Sequence, residues 1–200
     1  WQKPVSLNIT SKVHPVGFSS DIAFDGHVEL ASLKGWLDLS LLNPLSGATD
    51  VSGHFKISGE ENGFTGLELQ SELTGVEVAL PQPYFKEKLV PQPFKLKVAL
   101  KDGQEISLSY GELVNAALHI QEGSLKSGQV YLGATEAYFP SVAGLEVLGH
   151  ISVIEGNAWL ETWKGIRPKS SPTDNENNKN IIPILPICPI SSTSDTQPNP

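Results

Sequence analysis

Side chains that could bind a metal are scattered along the chain. The five histidines show neither i, i+4 nor His-x-His spacing, and no set of carboxylates stands near them; they are His14, His27, His54, His119 and His150. A metal site needs several such ligands at one point. The single cysteine, Cys188, excludes a cysteine-based zinc site and a disulfide framework. The sequence therefore predicts no metal site.

The glutamates do not form a pattern that suits acid–base catalysis. Glu60-Glu61 fits a turn, and Glu68, Glu72 and Glu77 fit the outer faces of strands. No Gly-x-Ser-x-Gly elbow, Walker loop or Gly-x-Gly-x-x-Gly motif is present. We therefore predict that the chain is not an enzyme and needs no cofactor.

The charge of the chain limits the classes of molecule that it is expected to bind. A net charge of −8 argues against nucleic acid, which requires a basic surface. The one basic cluster is open to two interpretations: it could contact lipid phosphates or another anionic surface, or it could be a solvated strand face that discourages edge pairing. The solvated strand face is the favoured interpretation. The cluster comprises Lys86, Lys88, Lys95, Lys97 and Lys101.

Composition divides the chain near residue 165. All glycines lie at or before Gly165, and all aromatic residues lie at or before Trp163. We predict a β-rich section over residues 1–165 and a disordered, Pro-rich tail or linker over residues 166–200. The apolar stretch inside the tail is too short to span a bilayer. The chain begins at Trp1 and has no methionine, so we expect it to be part of a longer protein.

Period-two alternation predicts that the first section is all-β. In "FKLKVALK", Phe94 and the alternate residues after it share one face, and lysines occupy much of the other. Short turns separate ten or eleven such runs, which indicates an antiparallel meander. In the longest run, "GLELQSELTGVEVAL", we predict a β-bulge at Thr74-Gly75 that restores the apolar face. The predicted inward set is Leu67, Leu69, Leu73, Val76, Val78, Leu80, Leu96, Val98, Leu100, Ile106, Leu108, Leu118, Ile120, Val130 and Leu132.

One motif occurs twice. Residues 26–37 read "GHVELASLKGWL" and residues 149–160 read "GHISVIEGNAWL", with ten residues from Gly26 to Trp36 and equally from Gly149 to Trp159. Each copy predicts a strand followed by a short Trp-Leu turn or helix. We interpret the copies as two related units of an elongated fold.

Three segments together resemble a known family. They are "LTGVEVALPQPYFKEKLVPQPFKLKVAL", "ISLSYGELVNAALHIQEGSLKSGQVYLG" and "FPSVAGLEVLGHISVIEGNAWL". In this order they resemble consecutive segments of the YhdP family of AsmA-like proteins of Gram-negative bacteria. The likeness covers about residues 20–165. It departs from the family pattern at Val142-Ala143-Gly144, where the family more often has Pro before the Gly, and in the tail after residue 165.

The resemblance implies a fold and a function. It implies a long, curved, open antiparallel sheet with one or two very short helices, whose hydrophobic groove carries phospholipid acyl chains. It also implies a periplasmic section of a protein that is anchored in the inner membrane, reaches towards the outer membrane and supports its barrier. From the residues alone two alternatives remain open: a structural or protein-interaction β-module with a closed core, and an envelope carbohydrate-binding β-sandwich that uses Tyr84, Tyr131 or Tyr138.

Overall fold

A computed structural model describes residues 5–15, 17–37, 42–60, 63–100, 103–151 and 153–166. Within these ranges it describes the backbone alone for Gly35–Leu37, Trp163, Gly165 and Ile166. The strands are β1 (Ser6–His14), β2 (Gly17–Glu29), β3 (Leu45–Ser58), β4 (Gly66–Ser71), β5 (Val76–Val78), β6 (Phe94–Ala99), β7 (Gln104–Tyr110), β8 (Val114–Gln121), β9 (Ser124–Leu132) and β10 (Gly144–Gly149). The helices are α1 (Leu30–Leu37) and α2 (Gly156–Ile166).

The strands form one open sheet in the order β1-β2-β3-β4-β6-β7-β8-β9-β10, and β5 pairs with the start of β3. The prediction of an open all-β sheet with two short helices is confirmed. The pairs are antiparallel, as expected of a meander, except that β10 runs parallel to β9. The sheet is therefore mixed rather than purely antiparallel.

The parallel pair arises because residues 133–143 cross one face of the sheet before β10 begins. Asn115 Nδ2 donates a hydrogen bond to the carbonyl oxygen of Gly133 at 3.0 Å, and the amide of Tyr138 donates to Gln129 Oε1 at 3.2 Å. Gln129 Nε2 donates in turn to Glu146 Oε2 at 3.2 Å. A parallel strand requires such a long crossover, whereas a hairpin serves an antiparallel one. These contacts leave Gln129 buried with both ends of its amide paired.

The predicted bulge at Thr74-Gly75 is confirmed by the register along β3, with which β4 and β5 both pair. Residues 71–75 stand opposite residues 48–51, so this segment has one extra residue, which the chain accommodates through left-handed conformations at Leu73 (φ 48°) and Gly75 (φ 99°). The backbones come so close that a Cβ on Gly47 would overlap the carbonyl oxygen of Gly75, which accepts a hydrogen bond from the amide of Ala48. Glycine at both positions permits this close approach.

The buried apolar core lies where β5 meets α1. Leu30, Val76 and Val78 are its buried members, and Leu33, Leu45, Leu73, Leu80 and Tyr110 pack around them. Val76 is 1% exposed and Val78 is 3% exposed. Alternation gave these two valines the parity opposite to that of Leu67 and Leu69, and the extra residue before β5 returns them to the same face, where the core covers them. They are therefore not part of an exposed sheet face.

We call residues 72–93, which join β4 to β6, the rim segment. Lys86 in this segment is 4% exposed, so its assignment to a solvated strand face is wrong. Its Nζ donates hydrogen bonds to the carbonyl oxygens of Leu73 at 2.8 Å, Val76 at 2.7 Å and Glu87 at 3.1 Å. Burial lowers the pKa of this ammonium. Lys88, Lys95 and Lys97 are exposed as expected, and Lys101 lies outside the described residues.

Both copies of the doubled motif contain a strand followed by a helix. In the first copy Gly26 lies near the end of β2, and α1 follows β2 directly. In the second copy Gly149 is the last residue of β10, and α2 begins seven residues later. The helices differ in phase, because Trp36 is near the end of α1 whereas Trp159 lies in the first half of α2. The relation of the copies as repeated units remains a prediction, as does the division at residue 165. No helix among the described residues is long and apolar enough to cross a bilayer.

Candidate functional site

One face of the sheet carries unbroken apolar rows. Following the register from β1 to β10, each residue lies opposite the next, and all nine are apolar or glycine. This first row consists of Ile9, Ile22, Phe55, Leu67, Val98, Ile106, Leu118, Gly128 and Leu145. Nine strands at about 4.8 Å spacing give a path of roughly 38 Å across the strands.

A second row runs beside the first, two residues along each strand. It is equally free of polar side chains and also reaches both edges of the sheet. Its members are Leu7, Phe24, Gly53, Leu69, Leu96, Leu108, Ala116, Val130 and Val147. We call the surface formed by the two rows the apolar face.

The side chains of the apolar face are not buried as a protein core would be. Those on the central strands are half-buried, and those on the edge strands are exposed, as Leu7 (63%) and Val147 (58%) show. The fully buried apolar side chains of the described chain lie elsewhere, mainly in the core beside β5. An apolar surface of this length that remains accessible marks a place where another apolar molecule binds.

The opposite face is polar. Between the two apolar rows lies a row that points to the other side and contains Asn8, Ala23, His54, Glu68, Lys97, Ser107, Ala117, Gln129 and Glu146. The sheet thus separates apolar from polar side chains strand by strand, as alternation requires.

Charges on the polar face are paired. Glu68 accepts a hydrogen bond from Lys56 Nζ at 2.8 Å and forms an ion pair with Lys97 Nζ at 3.0 Å. These two lysines hold the pKa of Glu68 below its usual value, and Glu68 raises the pKa of Lys56.

Two His–Asp pairs also lie on the polar face. His54 Nδ1 lies 2.9 Å from Asp21 Oδ1, and His27 Nδ1 lies 2.6 Å from Asp50 Oδ1. The lining of a depression of about 630 Å³ on this face includes acidic and basic side chains, among them Glu68 and Lys97, together with serines, and no one ligand chemistry dominates it.

The structure brings most of the predicted inward residues together. Eight of them lie in the two rows: Leu67, Leu69, Leu96, Val98, Ile106, Leu108, Leu118 and Val130. Ile120 and Leu132 flank the rows on the same face, and Leu100 lies just beyond the end of β6, where it is exposed. Leu73, Val76, Val78 and Leu80 belong to the core. Their role as a lipid-contacting set remains a proposal.

The predicted inward set did not include the outer strands of this face. Leu7 and Ile9 on β1, Ile22 and Phe24 on β2, and Val147 on β10 belong to the rows. The signal was present in "SLNIT" and "DIAF", where every second residue is apolar. Each stretch is short and holds only two large apolar residues, which obscured the alternation.

An apolar cavity of about 580 Å³ opens at the rim end of the same face. Its lining comprises Leu80, Tyr84, Val114, Leu132, Ile151, Ile154, Gly156, Trp159 and Leu160. Tyr84 and Trp159 meet edge to face, with ring centroids 5.7 Å apart and planes at 80°. Trp159, one of the repeated-motif residues, therefore forms a wall of this cavity; the side chain of Trp36 lies outside the described part of the structure.

The described residues considered for metal binding and for sugar binding do not come together at one place in the structure. No group of three or more His, Cys, Asp or Glu side chains suited to a metal is found among the described residues. The three tyrosines considered for sugar binding lie apart: Tyr84 is buried in the rim segment, Tyr131 is half-buried on the polar face, and Tyr138 is exposed on the crossover.

The sequence was compared with protein families, curated proteins and solved structures. The family model described as "YhdP protein" matches residues 1–193. This match is longer than the resemblance over residues 20–165, and it includes most of the Pro-rich segment. No curated protein and no solved structure matches significantly.

Proposed function

Because the chain belongs to the YhdP family, we propose that it is a section of a periplasmic lipid-transport protein whose apolar face shields phospholipid acyl chains. One observation carries the proposal: two apolar rows cross nine strands without a polar side chain, and their side chains remain accessible. In this proposal the parent protein is anchored in the inner membrane, and lipid moves between inner and outer membrane to maintain the outer-membrane barrier.

The composition of the apolar face suits transport better than storage. Burial of an acyl chain gains about 0.8 kcal/mol per CH₂ without any specific polar contact. Movement along a path is fast only where that gain stays nearly constant, because a deep local minimum would trap the chain. Rows of Leu, Ile, Val, Phe and Ala change little in chemistry from one strand to the next.

A closed core is the chief alternative, and two observations weigh against it. A sandwich requires a second sheet about 10 Å away, whereas the described strands form one open sheet with β5 alone off its path. Half-buried side chains in the middle of the apolar face, such as Leu96 and Leu108, would be nearly inaccessible in a sandwich. A carbohydrate-binding sandwich meets the same objection.

Neighbouring residues on β7 provide the test. Ile106 lies on the apolar face and Ser107 lies on the polar face opposite Lys97. The full chain and the variants Ile106→Asp and Ser107→Asp are directed to the periplasm of a Gram-negative host and purified gently. Native mass spectrometry with lipid extraction then measures bound phospholipid, and urea unfolding followed by circular dichroism measures folding.

We expect phospholipid on the unchanged chain and on Ser107→Asp, and its loss from a folded Ile106→Asp, because a carboxylate on the path is costly to desolvate beside an acyl chain. Two results would overturn the proposal. One is a lipid-free mass for a stable, cooperatively folded chain. The other is global unfolding of Ile106→Asp alone, which a closed core requires.

A further inference from the structure

The apolar cavity at the rim end is continuous with the apolar face. Val114 on β8 and Leu132 on β9 line it and lie opposite each other in the sheet register. Two residues further along the same strands, Ala116 and Val130 belong to the second apolar row. A hydrocarbon chain that lies on this row can therefore enter the cavity without crossing a polar strand position.

The cavity has a floor on the sheet and a wall on α2. Trp159 and Leu160 of α2, with Ile151 and Ile154 before the helix, face Val114 and Leu132 across it. The edge-to-face contact of Trp159 with the buried Tyr84 joins α2 to the rim segment. Tyr110 Oη donates a weak hydrogen bond to the carbonyl oxygen of Tyr84 at 3.4 Å, which ties this wall to β7.

The lining selects one kind of occupant. Among the described residues it carries no charged side chain, and its side-chain polar groups are the Tyr84 hydroxyl and the Trp159 indole N–H. A peptide segment would bring backbone N–H and C=O groups that this lining could not pair, and unpaired polar groups are costly to bury. Small apolar cavities of about 150 Å³ stay dry and accept benzene. A cavity of about 580 Å³ with this lining has room for a much longer hydrocarbon.

We propose that this cavity is a resting site for the methyl end of one phospholipid acyl chain, with Trp159 in contact with the chain. The inference rests on the proposed function, because it takes its ligand from the apolar face. It adds a defined position at which a lipid pauses beside an otherwise uniform path. The headgroup stays outside, since the described lining has no cationic side chain to pair with a phosphate.

Bromine on an acyl chain quenches tryptophan fluorescence at short range, so Trp159 itself reports occupancy. The full chain is mixed with small vesicles of phosphatidylcholine whose acyl chains are brominated either near the methyl end or near the headgroup. The contribution of Trp159 is the difference between the unchanged chain and Trp159→Phe. A second reporter on the path, Leu96→Trp in the Trp159→Phe background, measures binding to the apolar face alone.

We expect loss of Trp159 fluorescence, larger with bromine near the methyl end than near the headgroup. Filling the cavity with Val114→Phe should abolish this loss and leave quenching of the Leu96→Trp reporter unchanged. Val51→Phe, on the same face of β3 and away from the cavity, is the matched control and should preserve both signals. Far-UV circular dichroism checks that each variant is folded.

The outcomes separate the two proposals. Quenching of the Leu96→Trp reporter without quenching of Trp159 would overturn the resting site and leave the lipid path standing. Quenching of Trp159 that persists in Val114→Phe would also overturn the resting site, because the lipid would then contact the outer side of α2. Absence of quenching at both positions would contradict the lipid path itself.

Discussion

Lys86 donates a hydrogen bond from Nζ to the carbonyl oxygen of Val76 over 2.7 Å, inside the rim segment. Val76 is among the most buried residues of the chain, so this ammonium lies against the apolar core. Its other acceptors are also backbone carbonyls, those of Leu73 and Glu87. Lys86 therefore joins the turn before β5 to the strand that follows it, and it shapes the rim beside the apolar cavity.

Replacement of Lys86 by methionine should destabilise the fold. Met fills a similar volume but removes the three hydrogen bonds that Nζ donates, of which the one to Leu73 leaves a carbonyl still bonded to the Val76 amide, so the cost should be about 1–3 kcal/mol in the free energy of unfolding. Urea denaturation at pH 7 measures the change. Lys88→Met, an exposed lysine in the same segment, should shift stability by less than about 0.5 kcal/mol. Equal effects of the two variants would contradict the structural role of Lys86.

The free energy of unfolding should also depend on pH differently in the unchanged chain and in Lys86→Met. Burial lowers the pKa of Lys86, so the unfolded chain binds a proton at pH values where the folded chain has released it. The free energy of unfolding then rises with pH from the lowered pKa up to about 10.4, and Lys86→Met loses this rise. Burial raises the pKa of Tyr84 and Tyr110, which opposes the trend above about pH 10, so the titration ends there.

Glu68 should contribute stability that acid removes. Lys56 and Lys97 lower its pKa, so its contribution is complete above its unfolded pKa of about 4.3 and disappears as the pH falls through the folded value. Because the side chain is about one-third exposed, Glu68→Gln should cost no more than about 1 kcal/mol at pH 7. Urea midpoints between pH 7 and pH 3 should converge for the variant and the unchanged chain. Glu72→Gln, at an exposed position just before the turn, should change the free energy of unfolding at pH 7 by less than about 0.5 kcal/mol.

Truncation on the apolar face should cost less than truncation in the core. Val76→Ala removes buried methyl groups and should cost about 2 kcal/mol. Leu96→Ala removes more atoms but from a half-buried side chain on an open sheet, so it should cost about 1 kcal/mol or less. Denaturation of lipid-free protein measures both. A loss of about 2–5 kcal/mol for Leu96→Ala would show that this face is closed into a core.

Much of the apolar face could be predicted from short stretches of sequence. The alternation around Leu96, Ile106 and Leu118 assigned each to the same face, because side-chain direction in a strand alternates with every residue. The reversed parity of Val76 was equally visible. Its consequence, one extra residue that returns Val76 to the face of Leu67, was predicted correctly. The close approach of Gly47 and Gly75 that accommodates this residue is not visible in the local pattern.

The burial of Lys86 could not be predicted from the residues next to it in sequence. Its neighbours in sequence resemble a charged strand edge, and nothing local indicates that three carbonyl groups surround its Nζ. The parallel β10 is similar, because its direction depends on a crossover held by Gln129 and Asn115, residues of earlier strands.

The sequence by itself determined the fold class, the strands of the central sheet, the face to which each side chain points and the family. These properties follow from a two-residue period and from motif order, which are local. The tertiary structure decided which residues lie side by side across nine strands, which valines are buried and where Trp159 closes a cavity. Those depend on pairing between distant segments, where register and backbone approach are set by contacts that no short stretch contains.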